Sequence, residues 1–243
     1  MANGAAGAAG SLQGRVAAVT GGSGGIGGAI LDHLSAEGAT PYSLDTVETT
    51  RAGWIVTDVR DDRSVEAALA QIEARHGRLD ILVHAAGVSF DAVVWKMPLA
   101  EWDRVISVNL RGAFLLLRAG VPALRRAGGG RVVLIGSING SRGAFGTSAY
   151  SASKAGLIGL ARTVARETGR FGIRVNVIEP GWVKTPLTDA LPRAIVDAAI
   201  CENLIGALLD PADIARSVAF LCGDGGRAIT GQILRVDGGQ HLG

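Results

Sequence analysis

Apolar residues along this chain alternate between two forms: short runs rich in Val, Ile and Leu, and longer stretches with apolar residues at helical spacing. The short runs read RVAAVT, TPYSL, GWIVTDV, LDILVHAAG, RVVLIGS, IRVNVIEPG and QILRVDGG. Between them lie AILDHLSAEG, SVEAALAQIEARHG, LAEWDRVISVNLRGAFLLLRAGVPALRRAG, AYSASKAGLIGLARTVARETGRFG and DPADIARSVAFLCG. The first set predicts strands and the second helices, in a repeating βα order. Strands this uniformly apolar belong to a parallel sheet covered by helices on both faces, so the expected fold is α/β and doubly wound, with about seven strands. Ligands of such sheets sit at the C-terminal strand ends.

No Gly- or Pro-rich linker divides the chain, which is expected to form one domain over 13–243. Residues 1–12, beginning MANGAAGAAG, lack a basic segment and a long apolar run, and are expected to be a flexible tail rather than a signal peptide. The longest break in the βα rhythm runs from Pro180 to Asp210, and predicts a substrate lid around 181–210.

Of the 243 residues, 48% are apolar and 19% charged, enough to bury a large core. A net charge of +2 with no dense basic run argues against a nucleic-acid partner, and no apolar run approaches the ~18 residues of a membrane span. Cys201 and Cys222 form no CxxC pair and no cluster with the four histidines, so neither a disulfide framework nor a metal site is expected. A reducing, cytoplasmic setting fits that usage.

Thr20-Gly-Gly-Ser-Gly-Gly-Ile-Gly27 follows the first strand and leads into a helix. Glycines there let backbone approach a pyrophosphate at a helix N-terminus. Asp45 ends the second strand about 20 residues further on, where a carboxylate accepts adenosine-ribose hydroxyls. It would repel a 2′-phosphate, and neither the glycine loop nor Thr46 offers a compensating Arg or Lys, which favours NAD over NADP. Two other readings of the loop exist. Gly21-Gly-Ser23-Gly-Gly25 matches a GxSxG nucleophile elbow, which would need a later histidine such as His84 or His241; or the glycines merely permit tight packing.

Tyr150 and Lys154 stand four apart in YSASK at the start of a helical stretch, on one face. An ammonium beside a phenol favours phenolate, as proton exchange with an alcohol or carbonyl oxygen requires. Ser137 ends the strand RVVLIG, where its hydroxyl can bond a substrate oxygen.

TGGSGGIG, Asp45, HAAG at 84–87, Asn109 in SVNL, Ser137, YSASK and PGWVKTP at 180–186 together resemble the short-chain dehydrogenase/reductase family, over nearly the whole chain after the tail. The resemblance implies a Rossmann fold and a tetrad of Asn109, Ser137, Tyr150 and Lys154. Tyr150 would be general acid or base, Ser137 would polarise the substrate oxygen, Lys154 would bind nicotinamide-ribose hydroxyls, and Asn109 would hold a relay water. It further implies Gly21, Ser23, Gly25, Ile26 and Gly27 at the pyrophosphate, Asp58 and Val59 at the adenine, and Ala85, Ala86 and Gly87 at the neighbouring ribose. Pro180, Gly181, Val183 and Thr185 would serve the nicotinamide end, and a homotetramer is expected. Two residues depart from the pattern: His84 replaces the usual Asn, and Gly136 a common Ser.

Layout around DAVVWKMPLAEWDRV and DPADIARSVAFLC is similar to 3-oxoacyl reductases and their 3-hydroxyacyl relatives. Phe90, Val94, Trp95, Ile138, Phe145, Trp182 and Leu187 are candidates for an apolar pocket, which with Ser137 and Tyr150 would take a carbonyl or carbinol beside an apolar group. A dehydrogenase of a small apolar alcohol, and a catalytically idle NAD-binding redox sensor, are the alternatives.

Overall fold

In the computed structural model, which describes residues 12–51, 53–189 and 192–242, the seven expected strands form one sheet. They are β1 (Val16–Thr20), β2 (Thr40–Asp45), β3 (Gly53–Val56), β4 (Ile81–His84), β5 (Gly130–Ile135), β6 (Ile173–Pro180) and β7 (Ile233–Val236). Every pairing is parallel, in the order β3-β2-β1-β4-β5-β6-β7. The chain therefore leaves β1 in one direction to build β2 and β3, then crosses back to start β4 on the other side.

Successive strand residues point to opposite faces, and here both faces are buried. Val16 and Ala18 of β1, Val132 and Leu134 of β5, and Val175 and Val177 of β6 join one apolar layer. Ala17, Val19, Val133, Ile135 and Ile178 join the other. The first layer is covered by α2 (Asp62–His76), α4 (Gly112–Arg126) and α6 (Ser148–Thr168), the second by α1 (Gly25–Ala36) and α9 (Pro211–Cys222). Local chemistry sets the helix ends. Asp61 caps α2 by accepting from the Arg63 amide, and Asp210 with Asp213 makes a capping box ahead of Pro211 in α9.

Residues 1–11 of the expected tail lie outside the described residues, whereas Leu12 belongs to the fold. It is 1% exposed, packs in the layer under α1, and its amide donates to the Glu37 carbonyl. Leu12 thus departs from the expected tail, because a leucine there has an apolar layer to join.

The long helical stretch after β4 is not uniform. It comprises α3 (Leu99–Ile106), a π-helical turn over Ser107–Arg111, and α4. The whole of Leu99–Arg126 is long and apolar enough by length and composition to cross a membrane, which counting unbroken apolar runs does not register. Its Leu115, Leu116, Leu117 and Leu124 are buried in the core beside the sheet. In the expected lid, α7 (Pro186–Asp189) and α8 (Arg193–Glu202) form, and the segment closes on itself: Leu209 bonds to Trp182 and Lys184 through its backbone.

Leu82 stands fully buried on the central strand β4, against Gly120 of α4. Leu82→Ala should lower the unfolding free energy by roughly 2–5 kcal/mol in urea denaturation, since the surrounding sheet can close the cavity only in part.

Candidate functional site

Where β1 and β4 part company, their C-terminal ends carry the glycine loop and the segment Ala85–Gly87. The two press together: Gly21 has φ +72°, and a Cβ there would stand 2.6 Å from the Ala86 backbone nitrogen. A Cβ on Gly27 would collide with the Gly21 carbonyl. Only glycine fits either position. Gly24, the residue before α1, makes no side-chain cap, so the first amides of that helix are left for another acceptor. Side-chain-free backbone and uncapped amides at a helix N-terminus are the chemistry that a pyrophosphate needs. Thr185 reaches it from the lid, its methyl group lying where a Cβ on Gly25 would stand at 2.9 Å.

Asp45 is held in place before any ligand arrives. Its Oδ2 accepts from the Ser23 amide at 3.0 Å and hydroxyl at 2.6 Å, its Oδ1 from the Val47 amide at 3.2 Å, and its carbonyl from the Trp54 indole at 3.1 Å. The Ser23 hydroxyl thus points to a carboxylate and not to a histidine, which removes the nucleophile-elbow reading. Asp58, expected at the adenine, is gripped by Arg60, whose guanidinium and amide bond its carboxylate and hold its pKa below the ordinary value against the effect of burial. Val59 beside it is buried against Gly112. Arg51 is committed to Asp32 at 2.5 Å.

The four expected catalytic residues come together at the ends of β4 and β5. Ser137 follows β5 and caps α5 (Ile138–Arg142), accepting from the Asn139 amide at 3.2 Å. Tyr150 and Lys154 lie on the first turns of α6, with the Lys154 ammonium 5.5 Å from the phenol ring centroid. Asn109 sits in the π turn. Its Oδ1 accepts from the Val88 amide at 2.8 Å, and its Nδ2 donates to the Val88 carbonyl at 2.9 Å and to Ser153 Oγ at 3.0 Å; Ser153 donates in turn to the Tyr150 carbonyl at 2.7 Å. Gly87 stands between these groups: a Cβ there would lie 3.4 Å from Lys154 Nζ and 3.6 Å from Asn109 Oδ1.

Burial governs the electrostatics. It pushes the Tyr150 phenol up; the hydrogen-bonded Ser137 hydroxyl pulls it down and Asp91 pushes it up, for a net rise. The net rise, set by the phenol's own burial, runs against the expected depression by Lys154, whose ammonium is itself buried, brought down to about 8, and donates to the Ile135 carbonyl at 2.8 Å.

Other expected residues fall into two groups. Gly181 packs on Asp237, and the Trp182 amide donates to Gln240 Oε1, so the turn after Pro180 is anchored to the C-terminal segment; Val183 is buried. Phe145 (91% exposed), Trp95 and Val94 are open to solvent, Phe90 and Trp182 are half-buried, and the side chain of Leu187 lies outside what the structure describes. Ile138 is a correction: it is 2% exposed and belongs to the core, since the first turn of α5 directs it inward. Sequence reasoning passed over Ser153, Thr20 and Asp91. Ser153 was visible inside YSASK, but its tie to Asn109 depends on the π turn, which no periodicity announces.

A family model described as Enoyl-(Acyl carrier protein) reductase matches residues 22–241. The chain is 36% identical over 242 residues to the 3-oxoacyl-[acyl-carrier-protein] reductase FabG of Escherichia coli (strain K12), covering 96% of this chain and 99% of that one. It is 37% identical over 253 residues to the (3R)-3-hydroxyacyl-CoA dehydrogenase of Canis lupus familiaris, covering 95% and 98%. The crystal structure of gox2181 superposes with a TM-score of 0.92 at 31% identity, over 96% of this chain and 97% of that chain.

His84 is wholly buried, and burial first, then the Lys154 charge, bring its pKa down to about 3. Unfolding exposes it to an ordinary pKa near 6.5, so between those values the unfolded chain binds the extra proton. Stability is therefore lost as pH falls from about 6.5 toward 3, with about 1.4 kcal/mol per pH unit from this residue. Urea titrations from pH 7.5 to 4 should show that slope, and His84→Asn should flatten it; equal slopes in both proteins would rule the assignment out.

Proposed function

Because this chain belongs to the short-chain dehydrogenase/reductase family of oxidoreductases, we propose that it interconverts a secondary alcohol and a ketone with NAD(H), Tyr150 exchanging the proton. The observation that carries the reading is the gathering of Tyr150, Lys154 and Asn109 beside Ser137 at one end of the sheet, with the Lys154 ammonium 5.5 Å from the phenol ring centroid and Asn109 tied through Ser153 to the Tyr150 backbone. A bound nicotinamide cofactor supplies or takes the hydride at the substrate carbon.

The chain's own groups do the rest. With its pKa raised, the phenol carries its proton at neutral pH and is set to donate it to a carbonyl oxygen as negative charge develops there. Ser137 donates to the same oxygen and fixes its position. Lys154, charged below about pH 8, bonds ribose hydroxyls and favours the phenolate left behind. The glycine cradle and the amides of α1 hold the pyrophosphate, with Ser23, Gly25, Ile26 and Thr185 around it. Asp45, pre-set by Ser23, takes the adenosine-ribose hydroxyls, and its charge disfavours a 2′-phosphate.

For the substrate we propose a 3-oxoacyl or 3-hydroxyacyl thioester. Support comes from the names of the two relatives and from Val94, Trp95 and Phe145, apolar residues left exposed on the loops after β4 and β5, where an acyl chain would lie. A small apolar alcohol is the runner-up, and an idle NAD-binding sensor the reading from another class.

Turnover of short 3-oxoacyl-CoA thioesters and of simple ketones, each with NADH and with NADPH, separates these. The proposal expects NADH-linked thioester reduction; tight NADH binding with no turnover of any carbonyl would point to the sensor. Tyr150→Phe should lower turnover by about 10²–10⁴-fold with NAD affinity nearly unchanged, and retained turnover would refute its role. Asp45→Ala should weaken NAD binding and narrow the NAD/NADP ratio. In the wild type, kcat/KM for reduction should fall above about pH 8 as the free enzyme's Lys154 loses its proton, and Lys154→Arg should remove that limb.

A further inference from the structure

His84 ends β4, paired in register with Thr20 of β1, and its imidazole lies fully buried between Thr20 and the π turn. Nε2 stands 3.2 Å from the Asn109 carbonyl oxygen and Nδ1 3.0 Å from Thr20 Oγ1. A carbonyl can only accept, so the ring proton is on Nε2. In the neutral ring that this dry setting favours, Nδ1 then accepts, and the Thr20 hydroxyl donates to it. That hydroxyl still has a lone pair, which takes the Ala86 amide at 3.2 Å. Every donor and acceptor along this line has one consistent assignment.

The line continues past the ring. Asn109 donates to Ser153, and Ser153 to the backbone carbonyl of Tyr150, while both amide atoms of Asn109 clasp Val88. Two runs of hydrogen bonds, joined through Asn109, whose backbone carbonyl meets His84 and whose side chain meets Ser153, thus connect Ala86, beside the glycine loop, to Tyr150 on α6, and His84 is the member touching both β1 and the π turn. An apolar side chain at this place would leave the Thr20 hydroxyl without its acceptor and the Asn109 carbonyl without this donor, in a region closed to water.

We propose that His84 is a positioning residue for hydride transfer: as a neutral Nε2–H imidazole it locks the π turn to β1, and so fixes Asn109, Ser153 and the Tyr150 backbone relative to the nucleotide loop. The inference rests on the reading of Tyr150 and Lys154 as the reacting groups. Burial beside the Lys154 ammonium keeps the ring neutral, in keeping with a fixed strut and against a role as proton carrier.

The test pairs a spectrum with kinetics. In ¹⁵N-histidine NMR of the full-length wild type, the resonance lost in His84→Asn should report an Nε2–H tautomer that stays uncharged from pH 8 to 5; an Nδ1–H tautomer or an imidazolium in that range overturns the proposal without any destabilised variant. In reduction of a short 3-oxoacyl-CoA with NADH, His84→Leu should lower kcat by about 10- to 100-fold, as a misplacement of about 1 Å does, with KM and NADH Kd within about threefold. His84→Asn, which keeps a donor and an acceptor, should recover most of the loss. A purely space-filling role predicts a lower Tm with kcat unchanged in the folded fraction, and that result also overturns it. Tyr150→Phe is run alongside: if that variant keeps its turnover, the site reading itself falls, whereas a dead Tyr150→Phe beside a fully active His84→Leu defeats only the inference about His84.

Discussion

A parallel sheet whose central strands are covered on both faces has one consequence from which most of this structure follows: polar groups are held at lowest cost at the strand ends. Apolar side chains of β1, β5 and β6 fill both faces, so the chain has nowhere else to hold hydroxyls, amides and charges at low cost. Because every strand runs the same way, Thr20, Asp45, His84, Ser137 and the turn after Pro180 all emerge at one edge. The crossover between β1 and β4 then opens a gap in the helical cover at that edge. The glycine loop, Asp45 and the group of Asn109, Ser137, Tyr150 and Lys154 are gathered by topology before any individual contact forms.

The same exclusion of water decides protonation. Lys154 is driven down to about 8 and Tyr150 upward, both by burial first, so in the ligand-free protein the pair rests as ammonium and phenol at neutral pH. Burial first, and the Lys154 ammonium second, hold His84 neutral. Asp45, by contrast, stands at the rim, where two donors from Ser23 of the glycine loop and one from Val47 of its own loop orient it. Chemistry is set deep in the edge, and recognition of the nucleotide is set at its lip.

Much of this was legible in the residues. Strand and helix periods announced the βα order, and the spacing of TGGSGGIG, Asp45, Ser137 and YSASK put each at a strand end or helix start, since those motifs are local in sequence. What could not be read is tertiary. The π turn comes from Asn109 bonding Val88 and Ser153 across the fold, and Ile138 turns inward because α5 begins immediately at Ser137. Leu12 joins the core because the layer under α1 has room for it. The direction of the Tyr150 shift was missed for a related reason: i, i+4 spacing places a cation near the phenol but says nothing of how dry the site is.

The two departures from the family pattern make sense only with their neighbours. Gly136 lies where β5 meets β6, and a Cβ there would stand 2.9 Å from Val177 Cγ1 and 3.1 Å from the Ile178 carbonyl. The space a side chain would need is bounded by Glu179, a buried carboxylate that accepts from Ser141 at 2.6 Å and pairs with Arg235 at 3.1 Å. Removing a partner from such a buried ion pair is costly, so Glu179 is not free to give way. Through Ser141 it also steadies α5, the helix that Ser137 caps. Gly136 with Glu179 holds the serine side of the site, and His84 with Thr20 holds the asparagine side. Glu179 beside Gly136 is thus tied to Arg235 of β7, and His84 to Thr20 of β1, so the residues around Ser137 and Asn109 are each anchored to a neighbouring strand.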